Sequence, residues 1–207
     1  CQALLVHFHS YPFLSRASQE KVRELAALLT RYQLHSRLFL VAFGEIQRQV
    51  VLSVPAALRV VVYRRLMLRI AERIARDHGA GALVTGEVIG QVASQTLENM
   101  SVIGSVASLP VLRPLVGMDK EEIVAQAERI GSYEISIVPD QDCCQLFTPK
   151  HPATRARLEE VLAAGVPIPS YAGLKLGLPA KRALTRLWSL QRPDVVHVVT
   201  EGPLGSS

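Results

Sequence analysis

Apolar positions in this chain fall into short runs and one-sided helical stretches that alternate from the N-terminus onward. Ala3-Leu4-Leu5-Val6-His7-Phe8 is an apolar run of strand length, closed by His9-Ser10-Tyr11-Pro12, and it predicts a buried strand. Val22, Leu25, Ala26, Leu28 and Leu29 then share one face of a helix that Ser18 is placed to cap. Residues 37–43 predict a second strand. Pro55 ends a short helical stretch, and residues 58–77 predict a long helix stopped by Gly79 and Gly81. Ala82-Leu83-Val84-Thr85 predicts a third strand, followed at once by Gly86, and a fourth lies around Pro110-Val111-Leu112. Asp119 and Glu122 have capping-box spacing and open a helix over residues 120–130 that ends at Gly131. A last strand is expected near residues 135–138.

Strand and helix alternate, which predicts an α/β fold: an open parallel sheet with helices on both faces, joined by right-handed crossovers. Residues 1–164 are expected to form one domain. Past Gly165, the residues Pro167, Pro169, Gly173, Gly177 and Pro179 punctuate a stretch without amphipathic rhythm. Residues 165–207 are therefore expected to be an irregular C-terminal extension ending in a tail.

Composition supports this picture more than it extends it. Of 207 residues, 49% are hydrophobic and only 5% aromatic, so the core is one of Leu, Val, Ala and Ile, large enough for a single domain. The net charge of +5 is compatible with a polyanionic partner without requiring one. No apolar run can span a bilayer, since residues 50–63 are broken by Ser53, Pro55 and Arg59. With no secretory leader pattern either, the expectation is a cytoplasmic protein without a membrane partner. Cys1 stands where an initiator Met would be, so the chain is expected to start inside a longer protein. Three cysteines, two of them adjacent, do not make a disulfide framework.

In an open parallel sheet, ligands bind beyond the carboxyl ends of the strands. That directs attention to His7, Phe8, His9 and Ser10 after the first strand. After the third come Thr85, Gly86 and Glu87, with Gln91, Ser94, Gln95 and Thr96 following, and Arg113 comes after the fourth. Cys143 and Cys144 lie in a polar, Pro-flanked segment, where thiols lean towards reactivity, although two incidental thiols would look the same. Their spacing does not suit zinc. Gly86 follows a strand where backbone must approach a ligand or take positive φ, and plain turn chemistry gives the same pattern. His7 and His9 share one face of a strand, more simply as packed rings than as a metal site. Arg64, Arg65 and Arg69 are a basic patch on a helix, either solvated or reaching for phosphate. Lys150, His151, Arg155 and Arg157 are a second, suited to solubility or to an RNA backbone.

These pieces, in this order, resemble a known family. They are Val6-His-Phe-His-Ser10, Arg64-Arg-Leu-Met-Leu-Arg69, Leu83-Val-Thr-Gly-Glu87 with Gly90-Gln-Val-Ala-Ser-Gln-Thr96, Leu112-Arg-Pro-Leu115, Asp119-Lys-Glu121 and Asp142-Cys-Cys144. Together they resemble the PP-loop domain of the tRNA sulfurtransferases (4-thiouridine synthases) named for thiamine biosynthesis, from the first residues to about Leu158. The resemblance implies an adenine-nucleotide α-hydrolase type of fold and ATP, with Mg²⁺, as cofactor. It implies adenylation of a tRNA uridine, then transfer of a persulfide sulfur delivered by a cysteine desulfurase to give 4-thiouridine. By the same resemblance His7 and Phe8 hold the adenine or ribose, and Arg64, Gly86 and Gln95 complete the ATP site. Cys144 handles sulfur, with Cys143 as its partner. A homodimer is left open.

The chain departs from that family in one respect. Its Ser-Gly-Gly-x-Asp-Ser loop, which grips pyrophosphate, is absent from this sequence, and so are the RNA-binding domains. Both are expected to precede Cys1, and the chain alone is expected to be inactive. Residues past Gly165 have no counterpart in the resemblance. A non-catalytic nucleotide- or RNA-binding remnant, and a sulfur relay for thiamine biosynthesis, are the competing readings.

Overall fold

The computed structural model describes residues 3–139, 149 and 151–164, and the backbone of 195–199. Five parallel strands form one sheet in the order β2-β1-β5-β3-β4. They are β1 (Ala3–His9), β2 (Arg37–Ala42), β3 (Ala82–Thr85), β4 (Val111–Leu112) and β5 (Val195–Val199). Parallel neighbours need crossover connections. Helix α1 (Ala17–Gln33) joins β1 to β2, α2 (Gly44–Ser53) and α3 (Arg59–Asp77) join β2 to β3, and α4 (Leu97–Gly104) joins β3 to β4. Three further helices follow: α5 (Lys120–Arg129), α6 (Tyr133–Ser136) and α7 (Leu158–Ala163).

The alternation of β1 divides the core into two layers. Leu4, Val6 and Phe8 join the main cluster with Val50 of α2 and Val61, Val62, Tyr63 and Met67 of α3. Leu5 and His7 turn to the opposite face, where α1 buries Val22 and Ala26. A strand buried on both faces reads as a continuous apolar run rather than an alternating one, which is why residues 3–8 look as they do.

The chain punctuation works by local chemistry. Helix α3 ends with Ala80 donating its N–H to Ala75 and Gly79 to Arg76, and Gly79 takes φ 72°. Helix α5 ends in the same way, with Ser132 bonded to Ala127, Gly131 to Glu128 and Gly131 at φ 76°. This double closure needs a left-handed residue just past the helix, the position where glycine costs least. At the start of α5 the expected capping box is formed: the Asp119 carboxylate accepts from Glu122 N at 2.8 Å and Glu122 returns a bond to Asp119 N at 2.9 Å.

Three expectations differ from the structure. Residues 135–138 do not form a strand; the helical turn α6 lies there and packs against α1. Ser136 Oγ donates to Ser132 O at 2.8 Å, and Lys21 of α1 donates to the Ser136 carbonyl at 3.2 Å, so contact with α1 overrides a strand-like run of Ile and Val. Ser18 does not cap α1. It lies inside the first turn, buried against His7, and Arg16 occupies the cap position without a side-chain bond. Residues 165–207 are not wholly irregular, since β5 runs through the middle of the sheet, with Val195 opposite both Ala3 and Ala82. Val-Val-His-Val-Val is strand-like on its own, but its central place comes from the unpaired backbone edges of β1 and β3.

Candidate functional site

At the carboxyl end of β1, successive side chains go to opposite faces. Phe8 is 3% exposed and packs edge-on against Phe43, at 5.5 Å between centroids, and Phe43 packs likewise on Tyr63 at 6.1 Å. The ring of Phe8 is thus committed to the core, and its backbone remains as the part able to meet a ligand. His7 lies on the α1 face with Nε2 3.3 Å from Ser18 Oγ. His9 Nδ1 accepts from Tyr11 N at 3.3 Å. Burial, and then the charge of Arg23, lower the His9 pKa and favour the neutral ring. Beyond them Ser10 Oγ donates to the fully buried Gln47 at 2.5 Å, which ties the strand exit to α2.

The carboxyl end of β3 holds a denser arrangement. Glu87 is 2% exposed and lies between two guanidinium groups. Its Oε2 accepts from Arg113 Nε at 2.6 Å and from Thr85 Oγ1 at 3.0 Å, while Oε1 faces Arg64 Nη1 at 3.5 Å. Arg64 comes from the second turn of α3, and Arg113 is the residue after β4. Two positive charges and one negative therefore share a largely buried space. A buried charge is costly unless it is paired and hydrogen-bonded. Arg64 Nε, Arg113 Nη2 and, in the following loop, Gln95 Oε1 are buried without a hydrogen-bond partner.

Gly86, between Thr85 and Glu87, does not take positive φ; in this loop Gly90 does, at 81°. A Cβ at Gly86 would meet only Leu115 Cδ1, at 3.9 Å. Neither backbone conformation nor the protein's own packing therefore demands glycine there. The loop is closed by Gly90 N donating to the Gln95 carbonyl at 3.0 Å.

The segment that returns after the cysteines is anchored to the same region. Asn99, fully buried in α4, donates through Nδ2 to Ala93 O at 2.6 Å and Ala153 O at 2.8 Å, and its Oδ1 accepts from Ala156 N at 2.9 Å. Thr96 Oγ1 donates to Thr154 O at 2.6 Å. Cys143, Cys144 and Lys150 lie outside the described residues.

Arg64 thus reaches the end of β3 through Glu87, and Gln95 closes the loop that follows Gly86, whereas His7 and Phe8 leave β1, with β5 between the two strands. Two strand spacings separate the groups, about 10 Å. The helical arginines are not one patch. Arg64 is buried on Glu87, and Arg65 donates to Val102 O and to Ser105 Oγ, past the end of α4. In the second basic cluster Arg155 faces Glu98 at 3.5 Å and Arg157 faces Glu159 at 3.7 Å. Glu87 and Arg113 were among the strand-exit candidates without a role in the site, and Asn99 was left out. Glu87 had a signal: it is the only charged residue between Asp77 and Glu98, directly at a strand exit. Arg113 had the same signal, following the fourth strand, whereas Asn99 had none that separates it from ordinary surface residues.

The chain is similar to known proteins over most of its length. A family model described as "Thiamine biosynthesis protein (ThiI)" matches residues 1–166. A probable tRNA sulfurtransferase of Thermus thermophilus is 52% identical over 206 residues, covering 98% of this chain and 51% of that protein. One from Caldanaerobacter subterraneus subsp. tengcongensis is 51% identical over 159 residues, covering 77% of this chain and 42% of that protein. A solved structure, described as a 4-thiouridine synthetase–RNA complex with bound ATP, superposes with a TM-score of 0.73 at 49% identity. It covers 78% of this chain and 43% of its own. The chain spans about half the length of the curated relatives it matches, or less. The Thermus alignment also runs through the residues past Gly165, so that segment does have a counterpart.

Proposed function

Since the chain belongs to the ThiI thiamine-biosynthesis family, we propose that it carries the adenine side of an ATP site and the thiol side of sulfur transfer in a tRNA sulfurtransferase that makes 4-thiouridine. One observation carries the reading. Arg64 and Gln95 each hold a buried polar atom without a partner; Arg64 faces Glu87 of the Thr85-Gly86-Glu87 turn, Gln95 closes the loop that follows it, and Gly86 leaves backbone open to approach. This is a donor–acceptor set of the kind a nucleotide satisfies.

ATP, with Mg²⁺, would supply the activated phosphorus that turns a uracil oxygen into a leaving group. The chain's part is to hold and orient. The Arg64 guanidinium donates to phosphate or ribose oxygens, Gln95 Oε1 accepts from an amino or hydroxyl group, and the exits of β1 and β3 bracket the base. Backbone at Phe8 and the buried His7 ring form the far wall, about two strand spacings away. Cys144, with Cys143, takes a sulfane sulfur from the persulfide of a cysteine desulfurase: the thiolate attacks, the donor's S–S bond breaks, and the donor leaves as a thiolate. The RNA partner is tRNA, and the reaction belongs in the cytoplasm.

Photolabelling with 8-azido-ATP and Mg²⁺ tests the nucleotide site. Label competed by ATP is expected on peptides containing His7-Phe8 or residues 86–95. Label elsewhere, or label that ATP does not displace, overturns the reading. Mass spectrometry after incubation with a cysteine desulfurase and cysteine tests the thiols. One added sulfur on Cys143 or Cys144 is expected, and sulfur on neither removes the sulfur-transfer role.

A further inference from the structure

Glu87 does not treat its two arginines alike. Arg113 Nε is held at 2.6 Å on Oε2, the oxygen that also accepts from Thr85. Arg64 stands at 3.5 Å from Oε1, the outer edge of a hydrogen bond, and keeps a buried Nε without a partner. The carboxylate is therefore largely satisfied by Arg113, and Arg64 is aimed by it without being neutralised. Arg113 in turn is packed from behind. Its Nη2, buried without a hydrogen-bond partner, lies 3.1 Å from where a Cβ on Gly104 would stand, and its Nη1 faces Val111 O at 3.5 Å.

We propose that Glu87 and Arg113 form a positioning pair for Arg64. Arg113 neutralises Glu87, so that Glu87 orients the Arg64 guanidinium while leaving its charge for an anionic group of the ligand. The proposal rests on the reading of this site as a nucleotide site. It makes Arg113 necessary for binding although Arg113 need not touch the ligand. Remove Arg113, and the buried carboxylate has one cation left. Glu87 then closes on Arg64 as a tight neutral pair and competes with phosphate. Remove both Glu87 and Arg113, and Arg64 is released again.

The test is a double-mutant cycle on the whole chain with ATP as the probe, followed by equilibrium titration. Arg113→Gln is expected to weaken ATP binding about tenfold, and Glu87→Gln combined with Arg113→Gln is expected to recover most of that loss. A purely structural role for Arg113 would leave the double variant no better than the single one. So would direct contact between Arg113 and ATP, and either result overturns the proposal, as does an Arg113→Gln variant that binds like the unmodified chain. Arg113→Lys, which keeps the charge with fewer donors, should bind between the two and serves if the glutamine variant does not fold.

A second readout needs no nucleotide. In side-chain NMR of arginine-labelled chain, Arg113→Gln should slow the motion of the Arg64 guanidinium, and the double variant should free it. Unchanged Arg64 signals in Arg113→Gln would sink the positioning pair whatever ATP does. If the unmodified chain binds no ATP while Arg64 responds as described, the nucleotide reading fails and the pair stands.

Discussion

Asn99 reaches across 54 positions of sequence to bond the carbonyl of Ala153 at 2.8 Å, and the same side chain holds Ala93 and Ala156. One buried amide thereby ties the loop after β3 to the segment that follows the cysteine pair. Under the proposed function, nucleotide binding and sulfur chemistry would meet in space, and this contact, together with Thr96 on Thr154 O, holds their flanking segments together.

Asn99→Ala is therefore expected to cost about 3 kcal/mol, because it leaves several backbone groups buried without partners. Urea unfolding measures it. A loss below about 1 kcal/mol would mean that water replaces the amide without difficulty.

Gly86→Ala separates folding from binding. The nearest atom to the new methyl is Leu115 Cδ1 at 3.9 Å, so the thermal midpoint should stay close to that of the unmodified chain. ATP-competed labelling should fall roughly tenfold, the usual effect of a methyl placed in a ligand's path. If labelling is unchanged, the nucleotide does not approach this turn.

Leu34 takes φ 63° and ψ −42° at the end of α1, with His35 N bonded to Gln33 O at 2.7 Å. That tight turn is strained for any residue with a Cβ, and the Leu34 side chain is 79% exposed. Leu34→Gly should raise stability by about 1 kcal/mol. A lower melting temperature would show that the exposed leucine contributes more than its backbone costs.

Stability should fall in two steps on acidification. Burial and then Arg37 lower the pKa of His78, against a partial opposing effect of Asp77, and the ring lies against Phe39 at 5.1 Å. His9 is lowered too. For a histidine held neutral in the fold, the unfolded chain binds more protons, so stability present above the ordinary value of 6.5 is lost as pH falls below it. Glu72 supplies the second step. Burial pushes its pKa up, but bonds from Ser108, Arg76 and the Leu109 and Ser108 backbone outweigh it, and the net shift is down. Its contribution is present above the ordinary value of 4.5 and disappears as pH falls through the folded pKa. Unfolding free energy followed against pH should show both steps. His78→Gln should flatten the first, and Glu72→Gln the second.

Much of the scaffold was legible in the chain, because the signals for it are local. The apolar run of β1, the one-sided pattern of α1, the glycine stops at Gly79 and Gly131 and the Asp119 capping box each involve residues within a few positions of one another. The order in which polar and charged residues follow the strands was legible for the same reason. What the tertiary structure decided are the pairings between distant elements. It set Val195–Val199 between β1 and β3, turned residues 133–136 into a helix against α1 and moved Ser18 from cap to core. It also gave the neighbouring Arg64 and Arg65 different partners and placed Glu87 between two of the chain's cations. A side chain's neighbours in sequence set its backbone preference. Its charge, its partner and its availability to a ligand depend on which remote element the fold brings against it.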